Sequence, residues 1–187
     1  MDHPTQVARI KKAFDYIDGD QTATTPGVKR APVAAYTDKQ WLDRELANIF
    51  KHYPLFMGLS CVIAEPGDYL TMEHGILPIL LVRGDDGVAR AFVNMCSHRG
   101  APVARGCGRA AGFTCRYHAW TYGRAGDLKV IPDQRNFPGV ERQNHGLTPL
   151  PLVERHGMIW VQPDPKAEIN LDQHLASMQG ELAGYDL

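Results

Sequence analysis

At 187 residues, 44% hydrophobic and 22% charged, the chain has the size of one ordinary domain and enough apolar material to bury a core without staples, which excludes disordered and repeat-array architectures. Lys and Arg number 20 against 21 Asp and Glu, a net charge of -1, so the basic excess of a nucleic-acid or anionic-membrane binder is absent. Met1 to Arg9 has no apolar signal core, and the longest apolar stretch, around Ile76 to Val82, is far shorter than a bilayer span; a cytoplasmic protein with no membrane and no nucleic-acid partner is expected.

In chain order, Val7, Ile10, Phe14 and Ile17 recur three and four apart and predict a short amphipathic helix. Gly19 to Pro32 breaks it. Thr37 followed by Gln40 has the capping-box pattern, and Trp41, Leu42, Leu46, Ile49 and Phe50 predict one apolar face of a helix ending at Pro54. From Leu55 the texture changes to β-like runs between turns: 56–64, 69–73, 76–83 and 88–94, then 112–115, 121–122, 127–131, 147–153 and 158–161. Leu171, Leu175, Met178 and Leu182 behind an Asn170 cap predict a final helix running almost to the last residue. The expected fold is mainly β, built from antiparallel sheets flanked by N- and C-terminal helices. Its expected division is a helix and linker over 1–36, the β domain over 37–165, and a terminal helix over 166–187.

Four cysteines, Cys61, Cys96, Cys107 and Cys115, are too few for a disulfide scaffold, which turns attention to metal chemistry. Two segments stand out: Cys96-Ser97-His98-Arg99-Gly100 and Cys115-Arg116-Tyr117-His118-Ala119-Trp120, with sixteen residues between His98 and Cys115. Each offers one thiolate and one imidazole, and the four together suit a tetrahedral zinc or a [2Fe-2S] cluster. Structural zinc sites usually draw paired cysteines from one loop. Here each loop is mixed, as a dinuclear cluster requires when both cysteines hold one iron and both histidines the other. Two ferric ions, two sulfides and two thiolates carry no net charge beside neutral imidazoles, whereas four thiolates would leave a dianion, so histidine ligation makes reduction easier.

Cys96-x-His98-x₁₆-Cys115-x-x-His118, with its flanks His98-Arg99-Gly100 and Tyr117-His118-x-Trp120, resembles the Rieske domain of aromatic-ring-hydroxylating oxygenase α subunits. The likeness covers most of Tyr36 to Pro163; Arg116 and Ala119 depart from it, standing where that family often has a small residue or proline and glycine. It implies the Rieske fold, with the cluster on two β-loops, Cys96 and Cys115 on one iron, His98 and His118 on the other, and backbone N–H groups near Arg99, Gly100 and Trp120 donating to sulfur. The extra cysteine pair of cytochrome bc-type Rieske proteins is missing, since Ala101 and Tyr117 stand in those places. Oxygenases of this kind also hold a mononuclear iron on two histidines and a carboxylate, and no Asp/Glu-x₂₋₃-His-x₄₋₅-His segment occurs here.

The resemblance therefore implies the electron-transfer part of a homo-oligomeric oxygenase. It would take single electrons from a ferredoxin or reductase and pass them to a catalytic iron domain of the same or a neighbouring subunit. The alternatives are a stand-alone Rieske ferredoxin, disfavoured by the extra helices, and a structural zinc module. Cys61, in an apolar run, reads as a buried inert thiol and Cys107 as structural. His3, His52, His74, His145, His156 and His174 lack ligand spacing and read as surface or capping residues. Between Cys96 and Lys129 six basic residues, Arg99, Arg105, Arg109, Arg116, Arg124 and Lys129, face the single acid Asp127, which reads either as a docking face for an acidic carrier or as loop solvation.

Overall fold

The computed structural model describes residues 2–23, 27–73 and 75–185. Its strands are β1 (Leu55–Leu59), β2 (Asp68–Glu73), β3 (Pro78–Arg83), β4 (Ala89–Val93), β5 (Cys107–Arg109), β6 (Phe113–Thr114), β7 (Thr121–Tyr122), β8 (Leu128–Val130), β9 (Pro149–Leu150), β10 (Leu152–Arg155) and β11 (Met158–Val161). They form three antiparallel sheets, ordered β5-β2-β3-β4-β9, β1-β11-β10 and β6-β7-β8.

Strand β3 explains how the sheets stack. Ile79, Leu80, Leu81 and Val82 form an unbroken apolar run, which a strand tolerates only when both its faces are covered. Leu80 and Val82 point into one core with Phe92, Phe113, Trp120 and Tyr122, while Ile79 and Leu81 point into a second with Met57, Ile159 and Val161. The five-stranded sheet is thus the middle layer. The β6-β7-β8 sheet covers one face and the β1-β11-β10 sheet the other.

A charged clamp ties the middle layer to the second core. Buried Arg83 donates through Nε to the Ile63 carbonyl at 2.7 Å, through Nη1 to the Gly87 carbonyl at 2.9 Å, and through Nη1 and Nη2 to the Glu154 carboxylate at 2.7 and 2.8 Å. The bidentate geometry satisfies a guanidinium that would otherwise be stranded in the interior.

The helices depart furthest from the sequence expectations. α1 (His3–Asp18) is capped by Asp2, yet Ile10, Phe14 and Ile17 are all more than half exposed. After α2 (Ala34–Thr37), the capping residue of α3 (Lys39–Glu45) is Asp38, whose Oδ1 accepts from Gln40 N–H at 2.8 Å; Thr37 belongs to α2 and its hydroxyl turns back to Val33. Helix α3 runs into a π-helical turn over Leu46–Phe50, and the apolar face from Trp41 to Phe50 lies open on its outer side. The run 147–153 is two strands in different sheets, β9 and β10, separated at Pro151, because proline cannot donate to a ladder. Strand β5 was absent from the sequence expectations, since Cys-Gly-Arg carries no β pattern. Asn170 does cap α4 (Leu171–Leu175), but Ala176 at φ 42° ends it before α5 (Gln179–Leu182). Within the expected 19–32 break, residues 24–26 lie outside the described residues.

Glu154→Ala leaves the Arg83 guanidinium buried without its counter-charge, and is expected to cost about 2–4 kcal/mol in urea unfolding at neutral pH. Arg83 holds the Glu154 carboxyl below the usual glutamate range. That contribution is therefore complete above the ordinary glutamate range and is lost as pH falls through the depressed value.

Candidate metal centre

The two candidate ligand loops differ in spacing but close in the same way. In the first, Cys96 N–H donates to the Ala101 carbonyl at 2.8 Å and Gly100 N–H donates back to the Cys96 carbonyl at 2.8 Å. In the second, Cys115 N–H donates to the Trp120 carbonyl at 2.8 Å and Ala119 N–H to the Cys115 carbonyl at 2.9 Å. The fifth residue of each loop is left-handed, Gly100 at φ 75° and Ala119 at φ 54°. Glycine takes that conformation freely; alanine carries a Cβ penalty of roughly 1–2 kcal/mol there.

Each loop is also moored to a sheet. Buried Asn94, just past β4, accepts from Val103 and Ala104 N–H at 3.0 and 3.1 Å and donates to the Ala104 carbonyl at 2.9 Å, which pins the outgoing arm of the first loop. The second loop is the tip of the β6-β7 hairpin, where Phe113 pairs with Tyr122 and the hydroxyls of Thr114 and Thr121 meet at 3.0 Å.

This scaffold brings Cys96, His98, Cys115 and His118 into one place. Both thiols are buried in the core they share with Trp120 and Tyr122. The imidazoles of His98 and His118 lie 4.7 Å apart, centroid to centroid, at 70°. His98 stacks on Trp120 at 4.8 Å and 12° and meets the edge of Phe137 at 5.5 Å, whereas His118 is exposed. His98 Nδ1 is buried with no hydrogen-bond partner. Burial, then the neighbouring His118 and Arg99, lower the His98 pKa, which favours the neutral imidazole that a metal requires.

Several residues around these four carried no ligand signature and were missed. Tyr122 places its hydroxyl 3.1 Å from Cys96 Sγ, and burial chiefly pushes its phenol up to about 12, so at neutral pH it stays protonated and can donate to a thiolate. Phe137 and His145 pack edge-on against Trp120. The capping reading of His145 holds in part, for its Nδ1 meets the Glu141 carbonyl at 2.8 Å. Ser97 links Tyr122 to the His145 carbonyl. Period-2 patterning could have flagged Tyr122 as buried on β7; nothing local reveals contacts made across 25 or 48 residues.

Two expectations are corrected and a third is narrowed. Cys61 is exposed on the Ser60–Ile63 turn, because the apolar run containing it leaves β1 before reaching it. Gly100 N–H is committed to the Cys96 carbonyl by loop closure and is not free for sulfur. Three of the six basic residues are paired: Arg109 with Asp68, Arg124 with Asp85, and Lys129 with Asp127. Among the described residues Arg99, Arg105 and Arg116 have no ion pair. His74 lies outside the described residues.

The Rieske [2Fe-2S] domain family matches residues 57–150, half of the chain, and the chain belongs to that family. The glycine betaine monooxygenase oxygenase subunit of Chromohalobacter salexigens is 33% identical over 190 residues, spanning 100% of this chain and 40% of that protein. The large oxygenase component of the 2,4-dinitrotoluene dioxygenase system of a Burkholderia species is 36% identical over 141 residues, spanning 73% of this chain and 31% of that protein. Among solved structures, the quaternary ammonium Rieske monooxygenase CntA, described with insights into carnitine oxidation and inter-subunit electron transfer, superposes with a TM-score of 0.74 at 30% identity over 81% of this chain and 41% of its own. The chain thus spans about a third of the length of these two curated relatives. Its relatives are oxygenase subunits, and a Rieske domain binds a [2Fe-2S] cluster.

The residues present fit that group. An unpartnered, buried His98 Nδ1 is costly in a protein interior unless something takes its lone pair, and the two buried thiols lie in the adjoining core. Among the described residues no three His, Cys, Asp or Glu side chains converge on a single ion; a two-iron group needs only two protein donors per iron, so this does not count against it.

The shared closure gives a paired prediction. Ala119→Gly relieves the left-handed strain and is expected to raise stability by up to about 1 kcal/mol after the glycine entropy cost, while Gly100→Ala is expected to lower it by about 1 kcal/mol. Thermal unfolding of the two variants beside the parent reads both signs.

Proposed function

We propose that this chain carries single electrons from a ferredoxin or reductase to a mononuclear iron outside these 187 residues, as part of an oxygenase α subunit. Cys96 and Cys115 would hold one iron of the cluster, and His98 and His118 the other. The observation that carries the assignment is the pair of identically closed loops, each presenting one buried thiol and one imidazole, with His98 Nδ1 left without a protein partner. The cluster supplies a one-electron carrier. The chain's own residues do the rest: Trp120 and Phe137 cover the His98 imidazole, Tyr122 offers a proton to the Cys96 sulfur, and exposed His118 leaves one imidazole edge at the surface for electron exchange.

We further propose that residues 1–36, 37–165 and 166–187 act as entry segment, cluster domain and lead into a catalytic domain, and that the full-length protein is a homo-oligomer in the cytoplasm. The inter-subunit electron transfer described for CntA supports the oligomer. Among the described residues no helix is long and apolar enough to cross a membrane. The relatives include oxidisers of quaternary ammonium compounds as well as of aromatic compounds, so the substrate class lies with the catalytic iron site.

The electron donor would dock on Arg99, Arg105 and Arg116, the unpaired part of the basic excess. Arg105 and Arg116 line the same open cavity of about 210 Å³ with Tyr69, Phe113 and Thr114. Reversing both to Glu is expected to slow reduction by an acidic ferredoxin most at low salt, since steering is screened beyond about 10 Å at 0.1 M; rates equal to the parent at every ionic strength would remove the docking face. Separately, His98→Ala is expected to abolish the Rieske-type electron paramagnetic resonance signal of the reduced protein. An unaltered signal strikes His98 from the ligand set.

A further inference from the structure

The side chain of Ser97 lies between two proposed ligands and is not used by either. Its Oγ is 2.7 Å from the His145 carbonyl oxygen and 2.9 Å from the Tyr122 hydroxyl. A carbonyl can only accept, so the Ser97 proton is directed at His145, and what Ser97 turns toward Tyr122 is a lone pair. The Tyr122 oxygen has three neighbours. Ser97 N–H donates to it at 3.0 Å, Ser97 Oγ lies at 2.9 Å and Cys96 Sγ at 3.1 Å. The phenol has one proton, and a serine lone pair and a cysteine sulfur both stand within reach of it.

We propose that Ser97 lowers the reduction potential of the cluster by competing with the Cys96 sulfur for the single proton of Tyr122. The proposal rests on Cys96 being a cluster ligand. A donor at a ligand sulfur draws charge from the iron, stabilises the more negative, one-electron-reduced form, and raises the potential. Whatever share of the Tyr122 proton goes to Ser97 is withdrawn from that sulfur. The competition is fixed in place by the His145 carbonyl, which occupies the Ser97 proton so that the hydroxyl cannot rotate to become a donor itself. His145 is in turn held by its Nδ1 contact with the Glu141 carbonyl at 2.8 Å and by its ring against Trp120. Ser97 is therefore a positioning residue, acting on the cluster through Tyr122, and the segment ending at His145 sets its orientation.

The test is a redox titration of the cluster-loaded protein, followed by visible circular dichroism and by electron paramagnetic resonance of the reduced form. Tyr122→Phe is expected to lower the potential and Ser97→Ala to raise it, two opposite shifts from two residues in contact. Ser97→Thr keeps a hydroxyl and is expected to restore the parent value. In the Tyr122→Phe background the effect of Ser97→Ala is expected to vanish, because there is no proton left to share. A Ser97→Ala potential equal to or below the parent, or a shift that persists without the Tyr122 hydroxyl, overturns the proposal. Should Ser97→Ala fail to retain its cluster, Ser97→Cys, whose thiol is a weak acceptor of similar size, is expected to raise the potential and decides in its place. If Tyr122→Phe leaves the potential unchanged, the phenol proton is not on the Cys96 sulfur and the Ser97 route falls; a Rieske-type signal that survives Cys96→Ala instead strikes Cys96 from the ligand set.

Discussion

The site depends on the two backbone hydrogen bonds that close each six-residue loop. Because Cys96 and Cys115 each exchange both of their main-chain groups with residues four and five further on, the direction of the thiol is set by backbone geometry rather than by whichever side chains lie between the ligands. That frees the intervening positions. Ser97 and Arg99 in one loop, Arg116 and Tyr117 in the other, can carry polarity and charge without disturbing the shape. Only the fifth position is restricted, and it is restricted by φ alone, which is why an alanine at 119 is tolerated at some cost where glycine would cost nothing. The loops can be this economical because the layer beneath them is rigid. Strand β3 is buried on both faces, and Asn94 transmits that rigidity to the first loop with three hydrogen bonds.

Charge around the site is arranged by the same economy. Arg109, Arg124 and Lys129 are paired with carboxylates, two of them on the neighbouring sheet or its turns, and such exposed pairs add little to stability. Their effect is to reduce the basic excess in the field that an approaching molecule meets. Arg99, Arg105 and Arg116 keep their charge, and two of them belong to the ligand loops themselves. A cluster that becomes more negative on reduction gains from cations that are not already compensated. Arg99 also helps keep His98 neutral, so one side chain would favour both the proposed ligand state of the imidazole and the reduced state of the group.

How much of this was legible in the sequence follows from the range of each interaction. The β-strands were readable because alternation and turn residues are local, and the two candidate loops because Cys96, His98, Cys115 and His118 stand out by their own spacing. Cys61 was misjudged for an equally local reason: an apolar run suggests burial, but Gly58 at φ 131° introduces a bulge in β1 and the chain turns outward within two residues. The helices α1 and α3 have clear apolar faces, and the sequence could not say that these faces would stay uncovered by the described residues. Contacts across long separations were invisible altogether. Tyr122 to Cys96 and Ser97 to His145 join residues on different elements, and no pattern in either segment announces the other.

These long-range contacts divide the site into two sides. On the inner side, the Cys96 sulfur has a phenol beside it and His98 is stacked on an indole; among the described residues the Cys115 sulfur has no side-chain donor. On the outer side, His118 is exposed, with Tyr117 open to solvent in the same loop and unpaired arginines in both. The division comes from β7 and its hairpin. Trp120 and Tyr122 are buried while Thr121 between them is only half covered, so the strand that closes the second loop sends its aromatic residues under the site and leaves His118 above it. Groups proposed to set the energy of an added electron therefore lie inward, out of water, where a hydrogen bond has its greatest electrostatic effect. Groups proposed to meet a partner lie outward, where charge is screened and exchangeable, and each side can vary in sequence without altering the other.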